Sequence, residues 1–190
     1  MRLLVIILVG FAGLAACQTT ALTPPVTTAD QFVPLAINAR RLEIIDNWQM
    51  IVEAPYIGHR AQKLPSNMLA DWAVNVLQPA GGSGELIFDM LRASVIRIEL
   101  PMKVGITNLL TDQQESKVTA EFDVNIMWLQ PVGGTQARIE LRVSHSVTVP
   151  ESATANDLQH AIQMVLVEAL NKLDRQARVE LAKINKITLP

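Results

Sequence analysis

Two stretches of the chain alternate between apolar and polar residues, the pattern of strands with one buried face. The apolar positions are Val118, Ala120, Phe122, Val124, Ile126 and Trp128 in the first stretch and Ala137, Ile139, Leu141 and Val143 in the second. Gly133 and Gly134 lie between them, and a glycine pair can supply the positive φ angles of a tight turn. The pattern predicts a hairpin whose other face is charged and exposed to solvent.

Two helices are predicted by apolar residues spaced three and four positions apart. The first begins at Ser66 as its N-cap and stops at Pro79, and the second covers residues 154–184 from a Thr154–Asp157 capping box. Strands are predicted over residues 38–52 and 85–100, the latter as one long strand or as two that break near Arg92. The order β-α-β-β-β-α predicts an α+β fold, an antiparallel sheet with two helices packed on one face.

The first 17 residues, MRLLVIILVGFAGLAAC, differ from the rest of the chain. Arg2 precedes an apolar stretch that is too short to span a bilayer as a permanent helix. Leu14, Ala15, Ala16 and Cys17, the only cysteine, resemble the bacterial lipobox, in which the cysteine receives a diacylglycerol and the preceding peptide is removed. The resemblance implies signal peptidase recognition at Leu14, Ala15 and Ala16 and acyl chains such as palmitate on Cys17. The alternative is an ordinary signal peptide, or a signal anchor, with an unrelated cysteine.

The lipobox divides the chain into three parts. Residues 1–16 are predicted to be the lipoprotein signal peptide, residues 17–34 the acylated cysteine with a tether rich in Thr and Pro, and residues 35–190 a single periplasmic α+β domain. Residue 18 is Gln, whereas an Asp there resembles a signal for retention in the inner membrane. We therefore expect a protein anchored in the cell envelope by its acyl chains and facing the periplasm, in the outer membrane rather than the inner one.

Composition and charge argue against several classes of protein. The 190 residues carry 16 Lys and Arg against 18 Asp and Glu, and aromatic residues make up only 4%, so a nucleic-acid partner is not expected. His59, His145 and His160 have no second ligand at metal-binding spacing. Ser83, in the sequence GGSGE, lacks both the nucleophile-elbow and the P-loop pattern. We expect no catalytic residues, no metal and no cofactor.

The element order behind the lipobox and tether is similar to that of small bacterial envelope lipoproteins. The stretches that carry the resemblance are GELIFDMLRASVIRIELP, VTAEFDVNIMW and HSVTVPESATANDLQHAIQMVLVEALNKLD. The element order looks most like that of the auxiliary lipoproteins of ABC-type lipid transport systems and of the lipopolysaccharide-assembly lipoprotein, whereas the quoted stretches resemble small proteobacterial lipoproteins. The resemblance implies a non-enzymatic accessory of envelope lipid or lipopolysaccharide transport, or of envelope assembly, that docks on a membrane protein. The alternative is a module that binds an acyl chain between helices and sheet.

Two places are predicted to contact that partner. Leu109 and Leu110 form an apolar pair in an otherwise polar loop, and exposed apolar groups on loops often mark binding sites. Ala177 and Leu181 lie where the apolar stripe of the last helix, roughly 35 Å long, extends beyond strands of about 17–20 Å. The alternatives are that the loop pair packs on the core and that the end of the helix packs on the first strand or the linker.

Overall fold

The computed structural model of the protein describes residues 32–101 and 114–189. Its main sheet has four strands in the order β2-β4-β5-β6, namely β2 (Arg41–Asp46), β4 (Glu85–Glu99), β5 (Gln114–Gln130) and β6 (Thr135–Pro150). Two short strands, β1 (Leu35–Ile37) and β3 (Leu77–Pro79), form a separate parallel pair. The helices are α1 (Pro65–Val76), which follows a 3-10 turn at Gly58–Arg60, and α2 (Ala155–Ala182). The predicted α+β class with two helices is confirmed.

The pairing of the first long strand differs from the prediction. β4, β5 and β6 are antiparallel neighbours, but β2 runs parallel to β4, from Arg41 opposite Glu85 to Asp46 opposite Met90. The reason is the connection: α1 lies between the two strands and carries the chain back to the end of the sheet from which β2 started. A strand that follows such a crossover is parallel to the one before it.

Both helices pack on the same face of the main sheet. Trp72 of α1 is fully buried and packs against Phe88 of β4, with 5.7 Å between ring centroids. Its indole N–H donates to Asp174 of α2 at 3.0 Å, so one side chain joins both helices and the sheet. Leu166 and Leu173 of α2 are also completely buried. The core is therefore a single layer between the helices and the sheet.

The central strands are unusually long for a domain of this size. β4, β5 and β6 contain 15, 17 and 16 residues, or roughly 50 Å each at ~3.3 Å per residue. The 28 residues of α2 extend roughly 42 Å. The sheet is thus long enough to cover α2 from its first turn to its last.

The ends of the elements test the local predictions. The capping box at Thr154 is confirmed: Asp157 N–H donates to the Thr154 hydroxyl at 3.3 Å, and Thr154 N–H donates to the Asp157 carboxylate at 2.8 Å. Hydrogen bonds from the Thr154 side chain and backbone lower the pKa of Asp157. The predicted N-cap at Ser66 is wrong, because α1 begins at Pro65, whose fixed φ suits the first helical position.

The structure also shows whether β4 is continuous and where β2 ends. β4 is one continuous strand with a bulge between Met90 and Arg92, which decides between the two alternatives. β2 ends at Asp46 rather than at residue 52, because the Asp46 carboxylate accepts the Trp48 N–H at 3.0 Å and turns the chain away. The hairpin is confirmed, with φ of 94° at Gly133 and 64° at Gly134.

Within residues 32–101 and 114–189, neither helix combines the length and the apolar content that crossing a bilayer requires.

Candidate docking surface

The face of the main sheet that points away from the helices carries paired charges. Arg92 donates to Glu121 at 2.9 Å, and Arg142 forms an ion pair with Asp123 at 3.1 Å. In the register of the sheet, Asp123 stands between Arg92 and Arg142. These residues surround a shallow depression of about 210 Å³. Its charged lining does not suit an acyl chain.

Two polar atoms at this face are buried without a hydrogen-bond partner, Oδ1 of Asp123 and Oγ of Ser94. Unpaired buried acceptors cost free energy unless a further group reaches them. The Asp123 side chain keeps 23% of its surface exposed through its other oxygen. The face is therefore polar and charged, and its hydrogen-bonding capacity is not fully used within the described residues.

Strand β6 forms one edge of the main sheet, and it is 16 residues long. The Ser144 carbonyl points away from β5, because it accepts a hydrogen bond from Lys172 Nζ of α2 at 2.8 Å. Backbone groups alternate in direction along a strand, and the register with β5 is unbroken from Thr135 to Val149. The N–H and C=O groups of Arg138, Glu140 and Arg142 therefore also point outward.

Two glycine loops meet at the end of the sheet where β4 begins and β5 ends. We call this the basal end, and the loops are residues 78–84 and 130–135. They are joined by the Ser83 hydroxyl, which donates to the Gln130 side chain at 3.2 Å, and by Asn38, whose carbonyl accepts from Gln130 at 2.8 Å. Gly82 has φ 95°, and a Cβ there would meet the Asn38 side chain. Close packing on Asn38 thus requires glycine in the first loop.

The pairing of these loops was not predicted, although the two loops have similar sequences. Residues 78–82 read Gln-Pro-Ala-Gly-Gly and residues 130–134 read Gln-Pro-Val-Gly-Gly. Each copy is too short to indicate a repeat in the sequence. Only the fold, which places the end of β5 beside the start of β4, brings the two copies together.

The predicted partner contact at the end of α2 is wrong. Ala177 and Leu181 are completely buried and belong to the core, as does Ile187 from the segment after α2. That segment folds back on β1, where Asn38 N–H donates to the Ile187 carbonyl at 2.7 Å. The prediction assumed strands of average length, whereas the observed strands reach the end of the helix.

Several predicted residues lie outside the part of the chain that the structure describes. They are the lipidation site Cys17, the signal peptidase residues Leu14, Ala15 and Ala16, and the loop pair Leu109 and Leu110. They remain predictions from sequence.

The three histidines lie in three different elements. His59 lies in the 3-10 turn, His145 in β6, and His160 in the second turn of α2, 3.2 Å from the Asn156 side chain. Among residues 32–101 and 114–189, no group of three or more His, Cys, Asp or Glu is placed to hold a metal ion. Ser83 lies in the turn between β3 and β4, hydrogen-bonded to Gln130.

The chain was compared with known proteins. No protein-family model matches it, and no curated protein does. Rare lipoprotein B from Shewanella oneidensis is similar with a TM-score of 0.37 and 8% identity, over 75% of this chain and 96% of that one. A lipoprotein from Caulobacter crescentus CB15 has a TM-score of 0.33 and 13% identity, over 75% and 88% of the two chains. A protein of family DUF330 from Xanthomonas campestris has a TM-score of 0.34 and 14% identity, over 78% and 96%.

Proposed function

We propose that this protein is a non-enzymatic lipoprotein of the cell envelope that docks on a membrane protein by adding a strand of its partner to β6. Cys17 attaches it to the membrane through acyl chains, on the periplasmic face and in the outer membrane rather than the inner one. Its role is that of an accessory in the transport of envelope lipid or lipopolysaccharide, or in envelope assembly. The lipobox supports the attachment, and the outer edge of β6, which pairs with no other strand among residues 32–101 and 114–189, supports the docking.

The edge of β6 is the observation that carries this proposal. A strand with unpaired outward N–H and C=O groups is a template for an extended segment of another chain. The outward groups belong to Arg138, Glu140 and Arg142, whose side chains lie on the exposed face and are themselves exposed. The partner segment would thus gain main-chain hydrogen bonds and could place carboxylates or cations opposite these charges.

Lys172 limits the part of the edge that is available. Its ammonium group donates a hydrogen bond to the Ser144 carbonyl. A lysine beside an edge strand is a common protection against uncontrolled strand pairing. The open section is therefore the basal half of β6, residues 136–142. A partner strand of about seven residues, roughly 23 Å, would fill it.

Photocrosslinking in the native envelope tests the docking. A benzophenone amino acid replaces Arg142 at the edge or, as a control, Val74, which is 55% exposed on α1. We expect a discrete crosslinked product with an envelope membrane protein from position 142 and none from position 74. Equal products from both positions, or none from position 142, would contradict strand addition.

A pair of substitutions at one residue separates main-chain recognition from side-chain recognition. Glu140→Pro removes an outward N–H but no hydrogen bond to β5, whereas Glu140→Ala keeps the N–H and removes only the charge. We expect Pro to abolish the crosslink from position 142 and Ala to retain most of it, with circular dichroism confirming that both variants are folded. A folded Glu140→Pro protein that crosslinks normally would refute the proposal.

A further inference from the structure

The two glycine loops form an uncharged, solvent-exposed surface at the basal end. Residues 78–83 and 131–135 are all exposed, and neither loop contains a charged residue. Val132 is 77% exposed at the tip of the hairpin. Pro131, its neighbour in the chain, and Ala80 of the first loop are also exposed. An apolar side chain held in this way at a loop tip, next to small residues, can enter the outer part of a lipid layer at low desolvation cost.

Cations adjoin this surface beside the first glycine loop. Arg40 and Arg41 adjoin the first loop, since both donate to Glu85 at 2.9 and 3.1 Å, and these hydrogen bonds lower the pKa of Glu85. Lys186 adjoins it as well, because its carbonyl accepts from the Asn38 side chain at 3.0 Å. Lys183 lies nearby on the same segment.

The cations have larger exposed side-chain fractions than the carboxylates that accompany them. The exposed side-chain fractions are 66% for Arg40, 57% for Arg41 and 61% for Lys183. The corresponding values are 27% for Glu85, 50% for Glu43 and 33% for Glu180. A planar surface that touches the basal end would therefore meet positive charge first, which favours one that carries anionic groups.

The path of the chain places the membrane within reach of this end. The carbonyl of Val33 accepts a hydrogen bond from Arg178, in the later turns of α2. Five residues later, Asn38 contacts both glycine loops. Cys17 precedes Phe32 by fifteen residues, which can span at most ~50 Å. An anchor at Cys17 would keep Phe32, six residues before Asn38, within that distance of the lipid headgroups.

We infer that the basal end is a membrane-contact surface for phospholipids with anionic headgroups. Val132 and the glycine loops lie at headgroup depth, and Arg40, Arg41, Lys183 and Lys186 face the phosphates. The inference rests on the proposed attachment of the chain to a membrane at its amino terminus. It also fixes the orientation of the domain: β6 rises away from the membrane, with its open section nearest the lipid.

The test attaches the mature chain to vesicles without relying on acylation. A histidine tag in place of Cys17 binds nickel-chelating lipid in vesicles of phosphatidylcholine and phosphatidylglycerol, so a failure of lipidation in cells cannot affect the result. A fluorophore on Val132→Cys is quenched by lipids that carry a nitroxide at headgroup depth. The matched control is Val52→Cys, which is 62% exposed in the loop after β2, away from the basal end.

We expect quenching at position 132 to exceed that at position 52 by about threefold or more, as for a side chain seated among headgroups. Replacing phosphatidylglycerol by phosphatidylcholine, or introducing Arg40→Glu with Lys186→Glu, should reduce the difference, since both remove attraction between cations and phosphates. Equal quenching at the two positions, or stronger quenching at position 52, would overturn the inference. A difference in quenching that changes neither with lipid charge nor with the charge reversals would overturn the assignment to anionic headgroups.

Discussion

At the scale of single residues, Asp174 is the polar group that the core depends on most. Its side chain is only 10% exposed, and it accepts three N–H groups, from Trp72 at 3.0 Å and from Arg178 at 2.8 and 3.0 Å. Arg178 in turn donates a hydrogen bond to the Val33 carbonyl. One carboxylate thus connects α1, α2 and the start of the described chain, and it is satisfied by donors on both helices.

We predict that Asp174→Ala lowers the free energy of unfolding by roughly 3 kcal/mol, because it leaves the buried indole N–H and a partly buried guanidinium without an acceptor. The matched control is Glu180→Ala, which removes the carboxylate of the more exposed Lys183 pair on the same helix and should change stability by no more than about 0.5 kcal/mol. Urea denaturation of both variants measures the difference. Equal effects would mean that the buried network contributes no more than a surface pair.

At the scale of elements, α2 is amphipathic along its whole length. Leu166, Leu173, Ala177 and Leu181 are completely buried, and the capping box fixes the first turn. Val179 lies two positions before Leu181 and is 57% exposed. The last turns therefore have a core face and a solvent face, as the first turns do.

We predict that Leu181→Asp abolishes cooperative unfolding, as Leu166→Asp should, since each places a charge in the packed interior. Val179→Asp adds the same charge in the same turns on the exposed side and should leave the melting temperature nearly unchanged. Circular dichroism during thermal unfolding distinguishes the three variants. A normally folded Leu181→Asp protein would show that the end of α2 can separate from the core.

Sequence predicted those elements whose signals are local. The alternation through Phe122 and Leu141, the glycine pair at 133–134 and the Thr154 capping box each specify structure within a few residues. β1 and β3, with three residues each, are too short to show a period, and their pairing depends on where distant segments come together. The burial of Leu181 depends on the length of the strands. The alternating pattern covers only residues 118–128, whereas β5 extends beyond both ends of that range, so the pattern underestimates the strand length. Of the surfaces, the charged face of the hairpin was predicted, whereas the β6 edge and the glycine loops required the topology.

At the scale of the whole molecule, the two ends of the described chain come together at one end of the domain. β1 pairs in parallel with β3 on one side and bridges Thr188 on the other. Leu189 N–H donates to the Ala36 carbonyl at 2.8 Å. The first described residues up to Asn38, residues 187–189 and the first glycine loop thus lie near one another.

We predict that Cys17→Ser releases the protein from the membrane fraction or leaves it as the uncleaved precursor, because serine cannot receive the thioether-linked diacylglycerol. Globomycin, which blocks the signal peptidase for lipoproteins, should make the wild type accumulate in the larger form. Fractionation and immunoblotting measure both effects. Identical membrane association and size under all these conditions would exclude lipidation at Cys17.

The small sheet around β1 also determines how the domain responds to mechanical load. A pull on the chain at Phe32 is transmitted first to the Arg178 contact with Val33 and then to three residues of β1. These residues are held by β3 and by residues 187–189, so tension is shared among the backbone hydrogen bonds of two neighbours. Once β1 detaches, Ile37 leaves the core and uncovers Ile187, which are 0% and 1% exposed in the folded state. The resistance of the domain to a pull at Phe32 is therefore set by its shortest sheet.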